Sequence, residues 1–194
     1  MANTPFLQLL RGSIDAEREC SIRAFDPDTG TTGWALLTIA MRSGQWFPRT
    51  LVTGSIAHDK KRATGSDRVQ RMIDAIGAFA HDNNNTLPDY DIIEGQEFYS
   101  GSEVDANDLI HLAQVAGALR LACAGQCAKS VSMPTPREWK GTKGKDGMHA
   151  RARQRLGALV KPGADKHVMD AVCMCIWKAN AIGIEHGATI SKAG

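Results

Sequence analysis

No stretch of this chain is long and apolar enough to form a helix that crosses a membrane. The first residues also lack a signal-peptide pattern, because Phe6-Leu7-Gln8-Leu9-Leu10 is short and Arg11 interrupts it. A cytoplasmic location is the expectation that follows. Cysteine is scarce and poorly spaced for metal or disulfide chemistry. The five cysteines (Cys20, Cys123, Cys127, Cys173 and Cys175) are odd in number and lack the paired spacing of a zinc site. They read as small buried hydrophobes in a reducing compartment. The net charge of +2 is too small by itself to argue for nucleic-acid binding. No internal repeat is visible, so a repeat architecture is excluded.

What is present fits one domain. The 194 residues suffice for a sizeable core, and 43% hydrophobic with 23% charged residues is ordinary globular composition. Residues 1–20 read as a weakly ordered leader and 21–194 as a single domain. Charge is unevenly spread. Between Arg137 and Lys166 stand nine Lys or Arg against three acids, a local net of +6 that leaves about −4 on the remainder. Such a segment is a candidate phosphate-binding surface.

The local pattern begins with two strands, 21–26 and 32–40, joined by the turn Pro27-Asp28-Thr29-Gly30. A third strand is expected at 50–56, completing an antiparallel meander. Ser66-Asp67 caps a helix whose face is Val69, Met72, Ile73, Ile76 and Phe79, ended by Asn83-Asn84-Asn85. Asp91-Ile92-Ile93-Glu94 is a short buried strand. A helix over 105–125 presents Leu109, Leu112, Ala113, Ala116, Leu119 and Cys123 to the core. A strand is expected at 128–133, a glycine-rich basic loop at Lys140–Lys145, a basic helix over 148–160 and an apolar helix over 165–182. The order βββαβαβα implies a mixed α/β sheet, three antiparallel strands and then parallel ones, flanked by helices.

Three acids stand out. Asp26 ends the first apolar run, Glu94 ends the fourth, and Asp170 lies near the start of an apolar helix. Carboxylates that converge without a cysteine or histidine cluster point to hard, oxygen-bound divalent cations, and hence to phosphodiester chemistry. Burying Asp170 in so apolar a helix argues for a cation partner. Each acid also has a plainer reading. Asp26 and Asp28 can start a turn, Glu94 can be solvated, Asp165 can cap the last helix, and Asp170 can pair with a lysine or arginine. His149 reads as a surface histidine. Arg151, Arg153 and Arg155 can be a solvated helix face, and Trp139 can be a packing residue.

Several segments together resemble the ribonuclease-H-like fold, and specifically the RuvC-type Holliday junction resolvases. Phe25-Asp26-Pro27-Asp28-Thr29-Gly30-Thr31-Thr32-Gly33-Trp34 resembles the family's first strand and turn. Ile92-Ile93-Glu94 resembles the strand bearing its catalytic Glu. Leu112-Ala113-Gln114-Val115-Ala116-Gly117 resembles the helix that follows. Lys140 and Lys145 resemble two basic positions, and His167-Val168-Met169-Asp170-Ala171 resembles the final acidic motif. Many relatives carry Asp where this chain has His167, and some carry His.

The resemblance implies a structure-selective endonuclease acting on branched DNA, above all four-way junctions, with two Mg²⁺ ions per site and Mn²⁺ as a substitute. Asp26 would bridge both ions, Glu94 and Asp170 would hold one each, and His167 would supply a nitrogen or poise a water. Glu97 is the reserve for Glu94, and Asp165 the reserve for His167. Lys140, Lys143 and Lys145 would approach the scissile phosphate. Arg137, Arg151, Arg153 and Arg155 would clamp phosphates, and Phe98, Tyr99 and Trp139 would stack on or wedge between bases. Symmetric cleavage needs two sites, so a homodimer is expected, with Ala116-Gly117-Ala118 allowing close approach. Another ribonuclease-H-like nuclease, a transposase-type enzyme or a non-catalytic junction-binding module would share parts of this pattern. A sugar-kinase or actin-like ATPase is disfavoured, since 194 residues carry no second phosphate loop, and no nucleotide cofactor is expected.

Overall fold

The computed structural model of the protein describes residues 18–42, 45–58, 65–83, 87–97, 105–126, 129–141 and 145–193, with backbone alone at residues 65, 145 and 186–193. Its strands are β1 (Arg18–Asp26), β2 (Thr31–Arg42), β3 (Gln45–Ala57), β4 (Tyr90–Ile93) and β5 (Ser130–Ser132). They form one sheet in the order β3-β2-β1-β4-β5. β1, β2 and β3 pair antiparallel, while β4 runs parallel to β1 and β5 parallel to β4. The helices are α1 (Gly65–Asp82), α2 (Ala106–Ala124), α3 (Pro136–Lys140), α4 (Lys145–Leu156) and α5 (Lys166–Ala193), with a 3₁₀ turn at Gly157–Leu159. This is the expected ribonuclease-H-like mixed sheet flanked by helices. No helix among the described residues is long and apolar enough to cross a membrane.

Local chemistry accounts for the joints. Asp28 Oδ1 accepts the Gly30 N–H at 2.7 Å, closing the turn between β1 and β2. Pro48 lies on β3, an edge strand, where the register against β2 shifts between Thr38 and Ile39. A proline with no N–H to donate is tolerated at such a place.

The sheet separates two cores. On one face Ile22, Ala24, Leu37, Ile39 and Ile92 meet α4 and α5. On the other, Phe25, Ile56 and Ile93 meet α1 and α2 through Met72, Ile76, Leu119 and Cys123. Residues 168–175 of α5 are all buried because the helix is sandwiched between the sheet and α4.

Several expectations are corrected. β1 begins at Arg18, so residues 18–20 belong to the sheet and not to a leader; residues 1–17 lie outside the described residues. The segment expected as a loop from Lys140 is preceded by α3, and α4 starts at Lys145, three residues early. α3 forms because Thr135 and Glu138 make a capping box around Pro136. α5 continues well past residue 182, to Ala193. On α2, Val115 is buried and Ala113 exposed, a small rotation of the expected inner face.

One buried ion pair holds β1 to β4. Arg23 and Asp91 are register partners, and the guanidinium donates to both carboxylate oxygens, at 2.7 and 3.0 Å. Their side chains are only 3% and 0% exposed. Removing one member leaves an uncompensated charge in the core, which is far costlier than losing the pair as a whole. Asp91→Ala is therefore expected to lose about 3–5 kcal/mol of stability in urea unfolding. The double replacement Arg23→Met with Asp91→Leu is expected to lose clearly less.

Candidate active site at the carboxyl ends of β1 and β4

Strand parity brings the first two acids together. Ile22, Ala24 and Asp26 share one face of β1, and Ile92 and Glu94 share the same face of the sheet. The parallel register pairs Phe25 with Ile93, and the Glu94 N–H donates to Phe25 O at 3.0 Å. Asp26 and Glu94 thus leave neighbouring parallel strands side by side. The carboxyl end of a parallel sheet is where such folds place ligands.

α5 supplies the third acid, and its approach depends on Gly33. This residue sits opposite Asp26 on β2, and a Cβ there would lie 2.2 Å from the His167 carbonyl carbon and 2.4 Å from the Val168 nitrogen. Only a residue without a side chain lets the first turn of α5 rest on the sheet. Asp165 starts that turn by accepting the His167 N–H at 2.8 Å. Its carboxylate serves as a helix cap, the plainer of its two readings.

Every one of the three buried or half-buried carboxylates meets a basic side chain. His167 Nδ1 lies 2.7 Å from Asp26 Oδ2, and its Nε2 is 3.9 Å from Asp28 Oδ2. Lys140 Nζ lies 3.1 Å from Glu94 Oε1 and 3.7 Å from Asp170 Oδ2. His149 Nε2 lies 2.5 Å from Asp170 Oδ1. Trp139 Nε1 donates to Glu94 Oε1 at 3.1 Å. With the acids engaged in this way, no group of three His, Cys, Asp or Glu among the described residues is disposed to hold a metal ion as it stands.

Electrostatics follow from this crowding. Burial, and then the adjoining Asp26 carboxylate, push the Glu94 carboxyl up to about 7 against the pull of Lys140. The hydrogen bond to Asp26 raises His167 above the usual imidazole value.

The structure brings some of the expected site residues together and leaves others apart. Asp26, Glu94, Asp170, His167 and Lys140 converge. The contacts that tie the acids together pass through Glu94, with Glu97 three residues further along the chain. Trp139 is corrected: it is 3% exposed and holds Glu94, so it is not a surface for stacking bases. α3 aims it inward. Arg155 is corrected as well. Its guanidinium lies over the Trp46 ring at 4.3 Å and donates to Trp46 O. Trp46 is the register partner of Met41, at the Arg18 end of the sheet, roughly 25 Å along the strands from Asp26 at about 3.3 Å per residue. Arg151 and Arg155 line a cavity of about 670 Å³ that runs from Met148 to Trp46 and Asn180, and no carboxylate among the described residues lines it. Arg137 and Arg153 are exposed. Phe98, Tyr99 and Lys143 lie outside the described residues, as does the side chain of Lys145.

Two contributors were missed by sequence reasoning. His149 was read as a surface histidine, although it precedes Ala152 and Leu156 at i+3 and i+7, the inner stripe of α4. Asp28 was read as a turn residue alone, and it also faces His167.

The signs of the two shifts agree. A carboxyl whose folded value is raised is destabilising once ionised, so the fold gains stability as pH falls from about 7 towards the ordinary glutamate range. A histidine held above its usual value stabilises the fold at low pH and loses that contribution as pH rises. The groups facing Glu94 are Asp26, Lys140 and Trp139, with His167 and Asp170 one contact further on. Metal-free protein is expected to melt at a higher temperature near pH 5.5 than at pH 8. Glu94→Gln should flatten most of that slope in differential scanning calorimetry.

Comparison of sequences yields no matching family model and no matching curated protein. Comparison of structures does yield similar folds. RuvC from Thermus thermophilus superposes with a TM-score of 0.65 at 18% identity, covering 86% of this chain and 97% of that one. T. thermophilus RuvC in complex with a Holliday junction substrate gives 0.62 at 19% identity, over 84% of this chain and 97% of that one. Fowlpox virus resolvase, in complex with substrate Holliday junction DNA, gives 0.52 at 12% identity, over 84% and 98%. The chain has the RuvC-type resolvase fold over most of its length.

Proposed function

We propose that this protein is a metal-dependent, structure-selective endonuclease that cuts branched DNA, resolving four-way junctions by paired hydrolysis of phosphodiester bonds. The observation that carries the reading is the meeting of Asp26, Glu94 and Asp170 at one mouth of a resolvase fold. Two of the structurally similar proteins are bound to Holliday junction DNA, which supports the choice of substrate.

The donor set fits hard divalent cations, since three side chains offer oxygens. The ammonium of Lys140 supports the fit, because it already stands as a cation between Glu94 and Asp170. Asp26, Glu94 and Asp170 would hold two Mg²⁺ ions, with Mn²⁺ as a substitute. Such ions would activate the attacking water and stabilise the leaving oxygen. His167 would orient Asp26 through Nδ1–H. Trp139 would hold Glu94 through its indole N–H. Lys140, once released from the carboxylates, would face the scissile phosphate and offset its developing charge. Arg137, Lys143 and Arg153 would bind flanking phosphates.

Two symmetric cuts need two copies of the site, and the outer face of α2 suits a second copy of this chain. Ile110 and Leu121 are 56% and 80% exposed, with exposed Ala113 and Gly117 between them at helical spacing. Ala116, named earlier as a close-approach residue, is instead buried in the chain's own core. Ala113 and Gly117 take that role on the open side.

A panel of synthetic junction, flap, fork and linear duplex with Mg²⁺ or Mn²⁺ tests the reading. Paired, symmetric incisions on the junction are expected, and Asp26→Asn or Asp170→Asn should abolish them while leaving junction binding largely intact. Activity that persists undiminished in EDTA would overturn it. For Lys140→Gln the two readouts should move in opposite directions. Loss of the competing ammonium should tighten Mg²⁺ binding several-fold, while cleavage at saturating metal falls on the order of 10²-fold for a lost transition-state donor.

A further inference from the structure

We infer that His149 is a positioning residue for Asp170, on the nuclease reading given above. Asp170 is 2% exposed and lies on the first turns of α5, and the final torsion of an aspartate side chain has no sharp intrinsic preference. His149 reaches it from a different element, α4, twenty-one residues away in sequence. An ionised carboxylate only accepts hydrogen bonds, so the short contact requires the hydrogen on Nε2. That bond fixes Oδ1. It thereby turns Oδ2 towards Lys140 Nζ, the cation that Asp170 shares with Glu94. The plane of the Asp170 carboxylate is thus set by α4.

The placement of His149 is itself enforced. Ala152 and Leu156, three and seven residues on, are buried in the core against α5, and Met148 packs beside them. The imidazole is only 15% exposed. The docking of α4 on α5 therefore fixes His149, and His149 fixes the carboxylate. Groups that hold a ligating carboxylate from behind commonly change metal affinity about 10–100-fold when removed.

The two amide replacements separate positioning from bulk. Gln places its side-chain nitrogen near the site of Nε2, whereas Asn places it near Nδ1, too short to reach Asp170. Mg²⁺ alone is titrated calorimetrically into wild type, His149→Gln and His149→Asn, with no DNA present. Junction cleavage is then followed as a function of Mg²⁺ concentration. We expect His149→Asn to weaken Mg²⁺ binding about 10-fold or more, with most of the cleavage rate recovered at saturating metal, and His149→Gln to stay within about threefold of wild type. If both variants bind Mg²⁺ as wild type does, the positioning role is wrong. If both are weakened equally, the imidazole acts in some way other than through the Nε2 hydrogen bond, and the inference fails. A wild-type protein that takes up no Mg²⁺ would remove the nuclease reading and this inference with it. Wild-type uptake with an unchanged His149→Asn would remove this inference alone.

Discussion

Three carboxylates gathered in one largely water-poor mouth repel one another, and the rest of that end of the molecule answers the repulsion. Interactions between charges strengthen as water is excluded, so the acids need compensation close at hand. It arrives from three separate helices. α5 brings His167 to Asp26, α3 brings Lys140 to Glu94 and Asp170, and α4 brings His149 to Asp170. The acids come from β1, from the end of β4 and from α5. The site is thus stitched from five elements, and each stitch sets a side-chain nitrogen of one element against a carboxylate of another.

The two ends of the sheet are built for different tasks. At one end the strands stop in carboxylates. At the other, Trp46 donates to Asn180 of α5 at 2.8 Å and carries the guanidinium of Arg155 on its ring. α4 and α5 both run from the acidic mouth towards that far end. A helix of this length rises about 1.5 Å per residue, so residues close in sequence to the site are soon far from it. The sheet interior between the ends is held by apolar packing and by the Arg23–Asp91 pair.

Much of this was legible in the sequence, and the reasons are specific. Strands were readable because apolar runs end in Asp26 and Glu94, and parity then decides which face those residues take. The apolar helix made Asp170 conspicuous. α3 was not readable, since five residues held by a capping box carry no periodic signal. The sequence therefore left Trp139 open between a base-stacking aromatic and a packing residue, and it is a buried donor. The arginines of α4 were judged by nearness in sequence to the acids, and the direction of the helix carries Arg155 away. His149 was hidden among charged neighbours on a helix whose inner stripe, Ala152 and Leu156, is thin. Contacts between side chains of different elements, such as Lys140 with Glu94, depend on tertiary packing that no local pattern records.

The seam at Gly33 has a consequence for how this mouth can vary. The atoms that would meet a side chain there belong to the main chain of His167 and Val168. No neighbouring residue can be trimmed to make room, because backbone has nothing to give up. Compensation for a methyl group at that point would have to shift the whole first turn of α5, and both ends of its acid–base pairing would move with it. The most constrained spot in this pocket is thus a residue that contributes no functional group at all.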